Sequence, residues 1–352
     1  MTRRLILGLS LALLALLAMV AGCGGGSSSS GFGDDGGNGS GSSSGGTSSS
    51  GGNGGNGSGD GGGGAVFTVN DDGGGSGNGC SAASQLVYVL STDNAIYSFA
   101  PQTKTFTKIS SLQCNAGSMT PNSMAVDREG NAWVNYISAS QITGKVSGGS
   151  IFKVTIATGA CAATNVTLTS GWYQLGMGFS TVSATDTTDT LYVAATGSAA
   201  AAACVGLGGG GGGNTSNGLG SLDTDAGTLT PIGAFSGDLA GQSAELTGTG
   251  DGRLFGFFVD SPVKVAQITK SSGATSNEVS MTGVACPQAW AFSFWGGDFY
   301  LYTSPDGTTN SSVTHYTTAD GGIDTSYVSN AGFVIVGAGV STCAPTTPPP
   351  VQ

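Results

Sequence analysis

From residue 80 onward the chain repeats one pattern: a short apolar alternating run, a turn built on Gly with Asp or Asn, and a second run. The clearest unit reads SMAVDREGNAWVNY followed by GSIFKVTIATGAC, four runs joined by an Asp-x-x-Gly-Asn turn and a Thr158-Gly159 turn. The same order recurs in LVYVLSTDNAIYSFAPQTKTFTKI and in TLYVAATGS with GLGSLDTDAGTLTPIG. It returns in AELTGTGDGRLFGFFVD with KVAQITKSSGAT, and in AWAFSFWGGDFYLYTS with SVTHYTTADGGI. Alternation at period two is the mark of a half-buried strand, and Asn-Gly, Asp-Gly and Gly-Gly supply the positive-φ residues that tight hairpins need. No 3.6-residue period competes with it after the leader. Units of about 40–60 residues, each carrying four short strands, specify an all-β chain folded as a β-propeller. Five blades can be counted, with six as the alternative. The first unit lacks its innermost strand, and the chain ends on an unpaired run, FVIVGAGVS. Residues 333–341 are therefore expected to complete blade one, closing the ring without leaving an open sheet edge.

Residues 1–79 are of another kind. Arg3 and Arg4 precede an apolar stretch over residues 5–21, which runs into Val20-Ala21-Gly22-Cys23. An aliphatic residue, two small residues and a cysteine after a basic and an apolar region resemble a bacterial lipoprotein signal and its lipobox. That resemblance implies cleavage before Cys23 and a diacylglycerol and acyl chain (palmitate) on the mature N-terminus. An uncleaved transmembrane helix is the rival reading, but Gly and Ser follow Cys23 where a basic stop-transfer flank would stand. The start Thr2-Arg3-Arg4-Leu5-Ile6 also hints at twin-arginine export, against which the strong apolarity of the stretch argues for ordinary secretion. Residues 23–79 are dominated by Gly, Ser, Asn and Asp and have little to bury, so they read as a disordered tether. A flexible chain of roughly 56 residues has a root-mean-square span of about 41 Å. Within it AVFTV, residues 65–69, is a lone apolar patch that could form a stray strand. The expected organisation is a signal over 1–22, a tether over 23–79, the propeller over 80–345 and a Pro-rich tail over 346–352.

Charge narrows the partners. Ten Lys and Arg against 21 Asp and Glu give a net charge of −11, and loss of Arg3 and Arg4 with the leader makes it more negative. Such a chain cannot neutralise a row of phosphates, which excludes nucleic acid as a partner. Nor can it adhere electrostatically to an anionic bilayer. Contact with the membrane must come through lipid on Cys23, where more than one acyl chain is needed for firm anchoring.

Setting Cys23 aside leaves Cys80, Cys114, Cys161, Cys204, Cys286 and Cys343, an even set in a chain read as exported. Fifteen pairings are open to six cysteines. Ring closure selects one of them. Cys80 precedes the second strand of blade one and Cys343 follows the strand expected to complete it, and in antiparallel neighbours those ends meet. Cys114–Cys161 and Cys204–Cys286 follow only from nearness in sequence. No Cys-x-x-Cys spacing occurs and His315 is the only histidine, so no metal site is expected.

Catalytic motifs are wanting: there is no Gly-x-Ser-x-Gly elbow and no phosphate loop, and a single histidine denies triad chemistry most of its parts. His315 reads as structural, and so do Trp133, Trp290 and Trp295 in their strand runs. Residues 206–217 read as a glycine-rich insertion in blade three. Asp127, Asp223, Asp225, Asp251 and Asp306 stand beside turn glycines, where Asp ordinarily caps its own backbone. Three acids remain as candidates for a central channel: Glu245 on an inner strand, with Asp127 and Glu129 at the end of another. Trp172 and Tyr173, in the loop SGWYQLG, are read as exposed and form the candidate binding loop, although packing is the stronger expectation for the pair.

The unit AVDREGNAWV…IFKVTIATGA resembles the repeats of six-bladed-type propellers. Residues 80–345 are also similar to a group of bacterial lipoproteins that share VGAGVSTCAP, LTGTGDGRLFGFF and WAFSFWGGDFYLYT. No activity is assigned to that group. Propeller enzymes of the lactonase kind hold a metal in the channel with acids and amides, which makes bound calcium conceivable although no residue pattern here supports it. The expectation is a monomeric, lipid-anchored binding module with no catalytic residues or cofactor, recognising a protein or glycan of the envelope. The alternative is a metal-dependent lactonase or a lyase working through the channel. Gly24 stands where many inner-membrane lipoproteins carry Asp, which favours the bacterial outer membrane, facing periplasm or cell surface.

Overall fold

The computed structural model describes residues 80–140, 144–197, 216–259 and 261–348. The signal, Cys23, the tether and the AVFTV patch lie outside these residues. Chain order opens with β1 (Val87–Ser91), β2 (Ala95–Ala100) and β3 (Thr105–Ser111). Next come β4 (Thr120–Val126), β5 (Asn131–Ala139), β6 (Val146–Thr155) and β7 (Ala160–Ala163). A third set is β8 (Leu175–Thr181), β9 (Asp189–Ala195), β10 (Leu219–Asp223) and β11 (Thr228–Gly233). A fourth is β12 (Ala244–Gly248), β13 (Leu254–Phe258), β14 (Lys264–Ile268) and β15 (Thr275–Ser280). The last comprises β16 (Ala289–Trp295), β17 (Asp298–Ser304), β18 (Ser312–Tyr316) and β19 (Ile323–Val328), followed by β20 (Ile335–Gly339).

These strands form five four-stranded antiparallel sheets, and β20 is the innermost strand of the first, in the order β20-β1-β2-β3. The protein is a five-bladed β-propeller, closed as the sequence predicts. Tyr88 pairs with Gly339, Val89 with Ala338 and Leu90 with Gly337 across the closure. The Cys80–Cys343 disulfide locks it, and Cys114–Cys161 is also formed. Cys286 is disulfide-bonded, while its expected partner Cys204 lies outside the described residues.

Burial follows position in the blade. The two inner strands are almost wholly buried, as in β12 and β13, while outermost strands such as β3 and β15 are mostly exposed. That gradient explains why VYVLS and LFGFF are apolar but TFTKISS and TSNEVS are rich in Ser and Thr. Each pair of neighbouring blades encloses its own apolar cluster. Phe255, Phe257, Phe292, Phe294 and Phe299 fill the space between blades four and five. Blades two and three are joined through Ala125, Trp133, Trp172, Met177 and Phe179.

The five inner strands, β20, β4, β8, β12 and β16, run in one direction around the axis, and two of their contacts are backbone against backbone. A Cβ on Gly176 would lie 2.0 Å from the Ala244 carbonyl oxygen, and one on Gly248 2.0 Å from that of Phe179. Gly337 and Gly339 approach β4 less closely, where a Cβ would lie 2.9 Å from Met124 N and 3.0 Å from Val126 N. The tight centre of a five-bladed ring thus excludes side chains where these strands meet.

Candidate functional site

Glu245 is the acid at the axis. It is 4% exposed and crosses from blade four to accept a hydrogen bond from Ser123 Oγ of blade two at 2.8 Å. It also accepts the backbone N–H of Met177, on the free edge of β8 between them. One carboxylate therefore satisfies an inner-edge donor that no sheet neighbour reaches and ties three blades together. Burial pushes its carboxyl well above the ordinary glutamate value, and the bonds from Ser123 and Met177 offset only part of that.

Beside it runs a net of neutral amides. Asn122 Nδ2 donates to Asn135 Oδ1 at 3.1 Å and to the Leu175 carbonyl at 2.8 Å. Gln174 Nε2 donates to Asn122 Oδ1 at 2.9 Å. Asn135 accepts the Leu175 N–H at 3.1 Å and donates to the Tyr173 carbonyl at 3.1 Å. The net holds the chain entering blade three against blade two.

Above Glu245, where the inner strands begin, opens a mouth of about 410 Å³. Thr92, Thr120, Asn122, Gln174, Thr196 and Gln288 supply its polar groups, and Ile137, Trp290 and Val336 its apolar ones. Among the described residues, Glu245 at the floor is the only ionisable one in this lining. A cleft of this size is ordinary for a small-molecule site. Sequence reasoning missed every amide of it, because single Asn and Gln residues carry no pattern in a chain so rich in polar neutral residues.

Asp127 and Glu129 do not join Glu245, which corrects the three-acid channel site. Asp127 follows the far end of β4, four residues beyond Ser123, or about 13 Å along a strand. Its carboxylate receives Asn131 N–H at 2.7 Å and Trp133 Nε1 at 3.1 Å, and pairs with Lys153 at 3.3 Å. This is a turn cap extended into an interblade anchor. Glu129 is exposed, and both acids line a separate depression of about 440 Å³ at the junction of blades two and three. Beside it Arg128 pairs with Asp189 at 3.1 Å, and Asp189 receives Thr342 Oγ1 at 2.6 Å, tying the closing segment to blades two and three. Among the described residues no three acids, histidines or cysteines gather in a metal-sized group.

The exposure expected for Trp172 is also corrected. Its side chain is 6% exposed and buried among the blade two–three aromatics, and a Cβ on Gly220 would stand 3.1 Å from its ring. Tyr173 is half-buried, with its backbone pressed against Gly149. Packing, the stronger expectation, is what the pair does. Of the turn aspartates, Asp223, Asp251 and Asp306 bond within their own turns, and the bonds from Thr308 and Thr309 hold the Asp306 carboxyl below the usual range. Asp225 offers instead its backbone carbonyl to Asn165. His315 is structural, bonded to Asp298 at 2.9 Å and stacked on Tyr300.

The raised pKa of Glu245 sets a pH dependence. Between the unfolded value near 4.5 and the higher folded value, the unfolded chain releases this proton first, so stability falls as pH rises through that window. Above it the ionised group is buried at full cost. Glu245→Gln keeps an acceptor and removes the charge, so in a pH series rising from 4 its melting temperature should gain on wild type once the pH passes about 4.5. Parallel melting curves across that range would contradict the assignment. Glu245→Ala strands the Ser123 and Met177 donors and should cost about 1–3 kcal/mol at pH 5.

No known protein family matches the sequence, and no curated protein matches it either. Several solved structures resemble it distantly. A protein described as the calcium-binding regucalcin of Agrobacterium tumefaciens is 13% identical, over 73% of this chain and 75% of that one, with a TM-score of 0.37. A luciferin-regenerating enzyme is 12% identical over 73% and 92%, with a TM-score of 0.40. A gluconolactonase of Xanthomonas campestris is 11% identical over 62% and 68%, with a TM-score of 0.36. At such identities and scores the likenesses carry no argument about chemistry.

Proposed function

We propose that the protein is a lipid-anchored lipoprotein of the bacterial outer membrane, whose propeller acts as a binding module for a component of the envelope. The observation that carries the binding reading is the division of the acids. Glu245, alone at the axis, is engaged in holding three blades, while Asp127 and Glu129 belong to a separate depression. The mouth above Glu245 keeps polar groups for a ligand. The anchor reading rests on Arg3, Arg4, the apolar residues 5–21 and Cys23. Cys80, where the tether joins, lines the opposite rim with Cys343, Gly250 and Asp251, beyond the ends of the inner strands.

Labelling cells with an alkyne analogue of palmitate should mark wild type and not Cys23→Ala, and sedimentation should move the variant from the outer-membrane fraction to the soluble one. Labelling retained in the variant would refute the anchor. The second reading, a lactonase or lyase, is favoured by the buried, high-pKa Glu245 at the mouth, since perturbed acids gather at functional sites. Sugar and acyl lactones, tested with added calcium or zinc, should show no saturable turnover. Turnover lost in Glu245→Gln would replace the binding reading by the enzymatic one.

A further inference from the structure

We propose that the mouth above Glu245 binds a neutral saccharide, the ligand class of the binding module proposed above and resting on that reading. In a chain of net charge −11 the mouth lining carries no Lys, Arg, Asp or His among the described residues. Without a cation it has nothing to pair with a phosphate, sulfate or uronate. Glu245 is buried and already accepts two hydrogen bonds, so the floor is no counter-ion for an amine or a metal. What remains is chemistry suited to hydroxyl groups. The side chains of Thr92, Thr120, Thr196 and Gln288 make no hydrogen bond among the described residues, and Gln174 uses only its amide nitrogen. These residues come from blades one, two, three and five, so their groups converge from around the rim.

Trp290 adds the second element. It lines the mouth, and its Nε1 is the buried side-chain polar atom left without a partner among the described residues. That nitrogen is enclosed where the indole packs on the cluster between blades four and five, so what Trp290 offers the mouth is ring surface. An indole beside amides and hydroxyls matches the two faces of a sugar ring, with C–H groups for the aromatic surface and hydroxyls for the polar rim. Peptides would need backbone-pairing edges or deeper apolar pockets, which this shallow mixed lining does not supply.

The test uses the detergent-solubilised full-length protein, titrated by calorimetry and tryptophan fluorescence. Probes are neutral hexasaccharides of glucose, mannose and N-acetylglucosamine, an anionic hexagalacturonate, and an uncharged hexapeptide. At least one neutral saccharide should bind saturably, and hexagalacturonate should not. Trp290→Leu, which removes the aromatic surface, should weaken binding about 3- to 10-fold, as should Gln288→Ala at an exposed position. Asp225→Asn, in the other depression, should leave affinity unchanged, and unchanged melting of each variant separates lost binding from lost fold. No binding by any neutral saccharide, affinity indifferent to both mouth variants, or preference for the uronate or the peptide would overturn the saccharide assignment. Lactone turnover abolished by Glu245→Gln would instead overturn the binding reading beneath it.

Discussion

Replacing Gly176 or Gly248 by alanine is expected to destabilise the propeller by about 3 kcal/mol or more. The added methyl would fall 2.0 Å from a carbonyl oxygen of the neighbouring inner strand, Ala244 in the first case and Phe179 in the second. Neither obstacle is a side chain that can swing aside. Relief requires blades three and four to separate, which opens the cluster of Leu219, Leu246, Leu254 and Phe258 between them. Gly130→Ala is the internal comparison. Gly130 has φ of +78° but nothing within 4 Å of the new methyl, so only the backbone penalty of about 1–2 kcal/mol applies. Urea unfolding of the three variants should rank Gly130→Ala well above the other two in stability. If Gly176→Ala cost no more than Gly130→Ala, backbone contact between inner strands would not be what sets the ring's diameter.

Those glycines show how far the fold was legible before the structure. In a chain with 65 glycines, most read as turn residues, and Gly130, Gly252 and Gly273 do serve turns at positive φ. The inner-strand set has another signature: Gly176 with Gly178 and Gly337 with Gly339 stand two apart within apolar runs, leaving one strand face without side chains. That period-two pattern was available in LGMGF and VGAG and was absorbed into the general glycine background. The blades, the closure and the Cys80–Cys343 bond were legible because each depends on local alternation or on the two ends of the domain meeting. The site was not. Glu245 could be placed on an inner strand, but whether an acid at the end of another strand shares its chamber depends on strand length and direction, which put Asp127 at the opposite end. Trp172 looked accessible because it stands in a loop, yet that loop is pulled into the blade interface by Asn135 gripping the Tyr173 carbonyl.

Removing the bond at the closure should be the most damaging disulfide change. Cys80–Cys343 spans 263 residues and Cys114–Cys161 spans 47. On loop entropy alone the first contributes about 5.6 kcal/mol and the second about 4 kcal/mol. Topology widens the gap. Cys114–Cys161 staples loop and strand ends that blades one and two already hold in place, whereas β20 is held to the rest of its blade by pairing with β1, by Phe333 stacked on Tyr97 and Val334 accepting the Thr92 N–H just before it, and by the closing segment C-terminal to it. Without the disulfide, the closing segment keeps the bond from Thr342 to Asp189, the bond from Ser341 Oγ to the Ser84 carbonyl and the bond from the Gly296 N–H to the Pro345 carbonyl. Each is a single hydrogen bond worth about 1 kcal/mol. In Cys80→Ser with Cys343→Ser, the amides of β20 and β1 should therefore exchange with solvent well before those of β9 or β13, and a sub-global opening should precede unfolding. In Cys114→Ser with Cys161→Ser, exchange should stay uniform across the inner strands. Equal protection of β20 and β13 in the closure variant would mean that strand pairing alone holds the ring, and that the covalent clasp adds entropy without directing where the molecule first comes apart.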